Sequence, residues 1–214
     1  RLDVVAVSHL HEDHAGGVPS VLRNFRPKEV WTGPLPETPE ALRLQEAVRA
    51  TGARLRIWNE GARSDYGAVE IEALAFPAGE GIPAGNGDRG SLVLRLRHGR
   101  RSFLLTGDMD PRIEQDLAER GRFAECDVLK VPHHGSRYST REPMLSQAHP
   151  AFALISVGYA NPYNHPHPET LARLSEAVAK ASVWRAHRRP WWPGPRQGRR
   201  QRWSPRSSVS GCCF

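Results

Sequence analysis

Cysteine is nearly absent from this chain of 214 residues. There are three, and two of them, Cys212 and Cys213, stand side by side at the end. A disulfide framework is thereby excluded, and with it the small stapled scaffolds that need one. Cys126 opens an apolar run and reads as a buried small side chain rather than a reactive thiol. Long hydrophobic runs are missing too. No stretch of about 18 apolar residues occurs, so no segment has the composition of a membrane-spanning helix. An initiator Met and a signal-peptide pattern are also lacking. The expectation is a chain truncated at its start, with localisation unreadable from targeting signals.

Acidic residues are absent from one end. Residues 181–214 hold eight Arg and no acid, which leaves 22 basic against 23 acidic residues in 1–180. The net charge of +7 therefore belongs to the tail. The body has no global basic field of the kind that holds nucleic acid, although a local patch is compatible with this balance. From residue 185 onward Arg, Pro, Trp, Gly and Ser dominate with no visible period. The expected organisation is one packed domain over 1–184 and a disordered or aberrant Arg/Trp/Pro-rich tail over 185–214. A nucleic-acid-binding arm is the alternative reading of that tail.

The body alternates strand and helix signals. Residues 2–8 (LDVVAVS) form a short Val-rich run with strand character. Val18, Val21, Leu22 and Phe25 follow at helical spacing. Thr38 and Pro39 make a helix start, and Gly52 makes its stop. Strands are expected over 28–32, 54–58, 69–75, 91–96, 102–106, 128–131 and 151–157. His98-Gly99-Arg100 reads as a hairpin turn. Asp110-Pro111 and Pro168 each open a helix. Residues 77–90, rich in Gly and Pro, read as a loop. No internal repeat is present. This alternation argues for layered α/β packing around one core.

Four strand ends carry chemistry. The first is Ser8-His9-Leu10-His11-Glu12-Asp13-His14, a turn after an apolar strand and before Gly16-Gly17. Three imidazoles and a carboxylate within six residues suit zinc, manganese or iron. On a tight turn, His9 and His11 share one direction, and Asp13 and His14 another, so they can address two adjacent metal positions. The second is Thr106-Gly107-Asp108, where a carboxylate can bridge two cations. The third is Pro132-His133-His134-Gly135-Ser136. On an extended backbone neighbouring side chains diverge, so one His is expected as a ligand, and the other to orient it or assist a leaving group. Ser136 and Gly135 can offer a hydroxyl and a backbone N–H to an anion. The fourth, residues 158–167, places His165, Asn161 and Tyr163 at a rim. Asn86, Asp88 and Ser91 read as turn formers.

Taken together, His9-x-His11-x-Asp13-His14, Thr106-Gly107-Asp108 and His133-His134-Gly135-Ser136 resemble the metallo-β-lactamase superfamily. Asn86 before Ser91-Leu92-Val93-Leu94, the run Asp127-Val128-Leu129-Lys130-Val131-Pro132, Ser156-Val157-Gly158 and His165-Pro166 narrow the resemblance. Over about residues 2–184 the chain is similar to the C-terminal hydrolase domain of ComEC-type competence DNA-uptake proteins. The resemblance implies an αββα sandwich, truncated at its N-terminus because the family's first strands are missing. It implies two divalent cations, zinc or manganese, held by His9, His11, Asp13, His14, Asp108, His133 and His134, and no organic cofactor. It implies metal-assisted phosphodiester hydrolysis, with Asp13, Asp108, His134 and His165 as the catalytic set and DNA as substrate. It also implies membrane channel domains in a larger parent protein and an extracytoplasmic place. One departure is that residues 77–87 lack the further His that lactamases carry before the bridging Asp. The alternatives are a small-molecule hydrolase of the same fold, acting on a lactam, thioester or phosphoester, and a vestigial metal- or DNA-binding domain without turnover.

The composition of the tail leads to a first prediction. Deletion of residues 186–214 leaves melting temperature and metal content unchanged. A large drop in melting temperature would show that the tail belongs to the packed domain.

Overall fold

The computed structural model describes residues 2–75, 90–158, 161–178 and 180–186, together with the backbone of 201–202 and 210–211. The loop expected over 77–90 and the turn residues Asn86 and Asp88 lie outside the described residues, apart from Gly90.

Strands β1 (Val4–Val7), β2 (Glu29–Thr32) and β3 (Arg54–Ile57) form a parallel sheet in that order. Parallel neighbours need crossovers, and helices supply them. A single turn, α1 (Glu12–Ala15), and α2 (Val18–Phe25) follow β1, and α3 (Pro39–Thr51) follows β2. The ends of α3 obey local rules. The Thr38 side chain accepts from the Ala41 N–H, and Gly52 takes the left-handed conformation at φ 70°.

The second sheet runs in sequence order from β4 (Arg63–Tyr66) through β5 (Val69–Ala75), β6 (Val93–His98), β7 (Arg101–Leu105), β8 (Val128–Lys130) and β9 (Phe152–Gly158) to β10 (Lys180–Ala186). Two-residue strands, β11 (Gln201–Arg202) and β12 (Ser210–Gly211), follow β10 at that edge. From β4 to β7 the sheet is an antiparallel meander, and from β7 to β10 it is parallel. Helices α4 (Pro111–Glu119), α5 (Glu142–Ala148) and α6 (Pro168–Ala177) serve these crossovers. Neither β4 nor α5 is expected from the sequence. β4 reads Arg-Ser-Asp-Tyr, a charged edge strand without an apolar face, and α5 is too short to display a period.

Three buried clusters define the layers. Val7, Leu22, Val30, Leu44 and Val48 join α2 and α3 to the outer face of the first sheet. Trp31, Trp58, Ile71, Ala73, Leu92 and Leu94 lie between the two sheets. Leu74, Val93, Leu104, Leu117, Leu129, Met144, Ile155 and Leu174 pack α4–α6 on the far face of the second sheet. The order is helix, sheet, sheet, helix: the expected αββα sandwich. Cys126 sits in the third cluster, buried and free, and burial pushes its thiol up to about 11. Among the described residues no helix is long and apolar enough to cross a membrane.

The two sheets differ in width. The three-stranded sheet covers β5 and β6, but Phe103, Leu105, Phe152 and Leu154 remain 37–47% exposed. Strand register puts these four on one face. Phe103 pairs with Val128, which pairs with Phe152, and Leu105 pairs with Lys130, which pairs with Leu154. A contiguous apolar strip of this kind binds hydrophobic dyes and promotes self-association. Combining Phe103→Thr with Leu154→Thr should therefore lower the fluorescence of bound anilinonaphthalene sulfonate and reduce light scattering. Stability should change by no more than about 0.5 kcal/mol, as for other surface positions. Unchanged dye binding would mean that the strip is covered in solution.

Candidate metal centre

The C-terminal ends of β1, β7, β8 and β9 meet at one edge of the sandwich. Backbone hydrogen bonds hold them there: the Leu92 N–H donates to the Ser8 carbonyl (2.8 Å), the His133 N–H to the Gly107 carbonyl (3.2 Å), and the Val131 N–H to the Leu154 carbonyl (2.9 Å). Gly107 packs tightly against Ser8 and Ser91. Its φ is 54°, and a Cβ placed there would lie 2.7 Å from the Ser8 Cβ and 2.9 Å from the Ser91 Oγ. No larger residue fits this turn.

Asp108, next in sequence, is almost fully buried. Its Oδ2 lies 3.3 Å from His14 Nε2, 3.2 Å from His134 Nε2 and 3.9 Å from His9 Nε2. Lys130 Nζ stands 3.7 Å from Oδ1 and donates to the Gly107 carbonyl at 3.0 Å. Asp13, more exposed at the rim, places Oδ2 3.1 Å from His134 Nε2 and 3.7 Å from His14 Nε2. Donor atoms of Asp13, His14, Asp108 and His134 all lie within 4.8 Å of one another. His9 adjoins this group, its ring 4.1 Å from that of His14 and 4.7 Å from that of His11, centroid to centroid.

The ring orientations suit metal ligation. His134 Nδ1 lies 2.7 Å from the Ser156 carbonyl, so this nitrogen donates and Nε2 turns a lone pair inward. Ser8 Oγ contacts the Nδ1 of both His9 (3.1 Å) and His14 (3.3 Å), and Ser91 Oγ lies 3.3 Å from His9 Nδ1. Each Nε2 is thereby aimed at Asp108. His14 Nε2 and His134 Nε2 face each other at 3.2 Å. Two lone pairs at that distance repel unless a proton or a cation lies between them. His9 Nε2 and Asp108 Oδ1 are buried with no hydrogen-bond partner. Such atoms cost free energy unless something fills the gap, and a divalent cation fits this donor set.

Local electrostatics agree. Burial pushes the Asp108 carboxyl up, but the close approach of the His134 and His14 rings outweighs it and holds the group well below the carboxylate range. Asp108 in turn raises His134. Burial, followed by the neighbouring His14, lowers His9 to about 4, so it is neutral at physiological pH. Burial lowers Lys130, against the pull of Asp108.

The structure separates the residues of the His pair. His134 joins the cluster, whereas His133 turns toward His165, with ring centroids 5.9 Å apart. The reason expected from sequence is corrected. The backbone is not extended there but left-handed at both residues, with φ 47° at His133 and 53° at His134. Ser136 is buried, and its hydroxyl oxygen accepts from the Tyr138 N–H at 3.5 Å. The first turn is partly helical: His11 caps α1, and its carbonyl accepts from the His14 and Ala15 N–H groups. Glu12 is exposed and stands outside the cluster. A cavity of about 670 Å³ opens beside the cluster, lined by His11, Asp13, Asp108, His133, His134, Ser156, Asn161, Tyr163 and His165. Sequence reasoning missed Ser8, Ser91 and Lys130. Ser91 accepts from the Asp108 N–H at 2.9 Å as well as touching His9. The segment expected to lack a lactamase-type His, 77–87, lies outside the described residues.

Comparison with known proteins agrees with this geometry. Residues 1–159 match the family model of the metallo-beta-lactamase superfamily. The chain is 32% identical over 177 residues to "ComE operon protein 3" of Bacillus subtilis, covering 81% of this chain and 22% of that protein. It is 33% identical over 185 residues to "Recombination protein 2" of Haemophilus influenzae, covering 85% and 21%. It is 32% identical over 168 residues to "Competence protein ComA" of Neisseria gonorrhoeae, covering 78% and 21%. The chain thus spans about a fifth of the length of these relatives. Among solved structures, the metallo-beta-lactamase fold protein YhfI of Bacillus subtilis aligns with a TM-score of 0.51 at 13% identity, over 86% of this chain and 75% of that one. The diiron beta-hydroxylase CmlA of Streptomyces venezuelae aligns with a TM-score of 0.51 at 17% identity, over 87% and 44%.

The buried His9 gives a pH test in the metal-free chain. Its pKa is near 6.5 unfolded and about 4 folded. As pH falls through this window the unfolded state takes up a proton that the folded state refuses, so stability is lost. His134, shifted upward, acts in the opposite sense and cannot produce that loss. In chelator-treated protein, His9→Gln should flatten the fall in denaturant midpoint between pH 6.5 and 4. An equally steep fall in the variant would sink the assignment.

Proposed function

The chain belongs to the metallo-β-lactamase superfamily, and from that premise we propose that it is a metal-dependent phosphodiesterase acting on DNA. The observation that carries the reading is the setting of Asp108. One of its oxygens is shared by His14 and His134, and the other is buried without a hydrogen-bond partner, as is His9 Nε2. A carboxylate so placed suits a bridge between two cations. In this reading Asp13, His14, Asp108 and His134 hold one zinc or manganese ion. His9 and His11, with Asp108, hold the other. His133 lines the cavity beside His165, outside the four-residue cluster.

Bound there, divalent cations supply Lewis acidity toward a phosphoryl oxygen and bring the acidity of water to near neutral pH. The chain's own residues do the rest. The Ser156 carbonyl fixes the His134 ring. Asp13, with a side chain 62% exposed, faces the solvent side and accepts a hydrogen bond from attacking water. His165 lies on the cavity wall, its pKa lowered by burial first and then by His133 and His134. From that wall it is placed to assist the leaving oxygen. DNA as substrate rests on the relatives, one of which is named a competence protein. By the same likeness the chain is part of a larger membrane-associated protein, on its extracytoplasmic side. A second reading, a hydrolase of small phosphoesters, lactams or thioesters, is favoured by a cavity whose volume falls within the small-ligand range.

The test is a pair of substitutions. Asp108→Asn keeps the shape but removes the bridging charge. It should lower hydrolysis of bis(p-nitrophenyl) phosphate and of DNA by about a thousandfold or more. It should also lower the metal content of the purified protein. Glu12→Gln, in the same segment but exposed, should leave both near the parent value. Activity of Asp108→Asn within tenfold of the parent defeats the bridging role. An inactive Glu12→Gln defeats the placement of the first segment. Turnover of small esters with DNA left intact selects the second reading.

A further inference from the structure

Tyr163 stands out at the rim of the cavity. Its side chain is 75% exposed, the most exposed large hydrophobic residue described. It stacks against His165, with ring centroids 5.9 Å apart and planes 27° apart, and lines the same cavity as Asp13, Asp108 and His134. The loop beneath it is fastened on two sides. The Asn161 amide nitrogen donates to the carbonyls of Gly158 (3.1 Å) and His165 (2.7 Å), and its oxygen accepts from the His165 N–H (2.9 Å). The His167 N–H donates to the Gly135 carbonyl (2.8 Å), which ties this loop to the turn carrying His133 and His134. Contact between the loops is close: a Cβ on Gly135 would lie 2.7 Å from the Pro166 Cβ. Little ordering therefore remains to be done when a ligand arrives.

We propose that Tyr163 is a stacking platform for an unpaired nucleobase beside the phosphodiester, and that it makes the site select single-stranded nucleic acid. The inference rests on the phosphodiesterase reading and names its substrate class. Every base has a π-face, so an aromatic platform binds single strands without regard to sequence. Bases in a duplex are already stacked on each other and gain nothing from it. The near balance of 22 basic and 23 acidic residues in 1–180 adds to the case. A body without a strong basic field gets little affinity from phosphate charge, which leaves base contacts to supply it.

The experiment uses the full chain loaded with manganese and two oligonucleotides of equal length, oligothymidylate and an abasic single strand. For Tyr163→Ala the KM on oligothymidylate should rise about tenfold, in line with the loss of one stacked base. Its kcat should stay within about twofold, Tyr163→Phe should match the parent, and the abasic strand should be cleaved equally by all three. An equal rise on both strands, or none on oligothymidylate, overturns the platform while leaving the hydrolase reading intact. Loss in Tyr163→Phe as well overturns it in favour of a role for the phenol hydroxyl. If the parent cleaves neither strand, the hydrolase reading fails. Fluorescence anisotropy of the two strands on parent and Tyr163→Ala then decides the platform alone: weaker binding of oligothymidylate only supports it, and equal affinities overturn it.

Discussion

A carboxylate taken out of water costs several kcal/mol unless donors or cations replace the lost hydration. Asp108 is in that position, next to the Gly107 turn that packs against Ser8 and Ser91. Much of the local structure answers that cost. Ser91 gives its oxygen to the Asp108 N–H, Lys130 brings an ammonium to one carboxylate oxygen, and the rings of His14 and His134 approach the other. The hydroxyls of Ser8 and Ser91 and the Ser156 carbonyl then hold the rings from behind. Ser8, Ser91 and Gly107 are therefore as much a part of the centre as the histidines. They set the angles at which the histidine rings converge on Asp108.

Much of this was legible in the sequence because the relevant signals are local. The Thr38-Pro39 start, the Gly52 stop, the Asp110-Pro111 start and the Gly99 hairpin need only neighbouring residues to act, and each sits where the sequence puts it. The cluster of Asp13, His14, Asp108 and His134 was legible for a similar reason, since each group follows an apolar strand. What escaped depends on tertiary contact. Ser91 looks like a turn former until Asp108, 17 residues away, is folded against it. Lys130 looks like a solvated end of a strand until the turn at Gly107 curls over it. The divergence of His133 and His134 was foreseen with the wrong cause. A left-handed pair of non-glycine residues, unusual in itself, is fixed by the loops packed around it and not by the identity of the two residues.

Width matters as well as order. Three strands face a much broader sheet, so the layer between them is deep over β5 and β6 and thin over β7 to β9. The strands that deliver Asp108 and His134 thus have helices packed on one face and an exposed apolar strip on the other. Asp108 and His134 are therefore backed by α4–α6 on one face, while backbone and side-chain contacts with Ser8 and Ser91 join them to the end of β1.

The contact of His14 with His134, 120 residues apart in sequence, brings distant parts of the chain to one point. The first belongs to the narrow sheet and the second to the broad one. An ion seated between them closes a very long loop, much as a disulfide does, and loops of that size carry on the order of 4–5 kcal/mol of closure entropy in the unfolded chain. On the proposed metal-binding reading, a chain so poor in cysteine would have in these residues a reversible staple between its two halves, and how tightly the sandwich holds together would follow the free concentration of divalent cation around it.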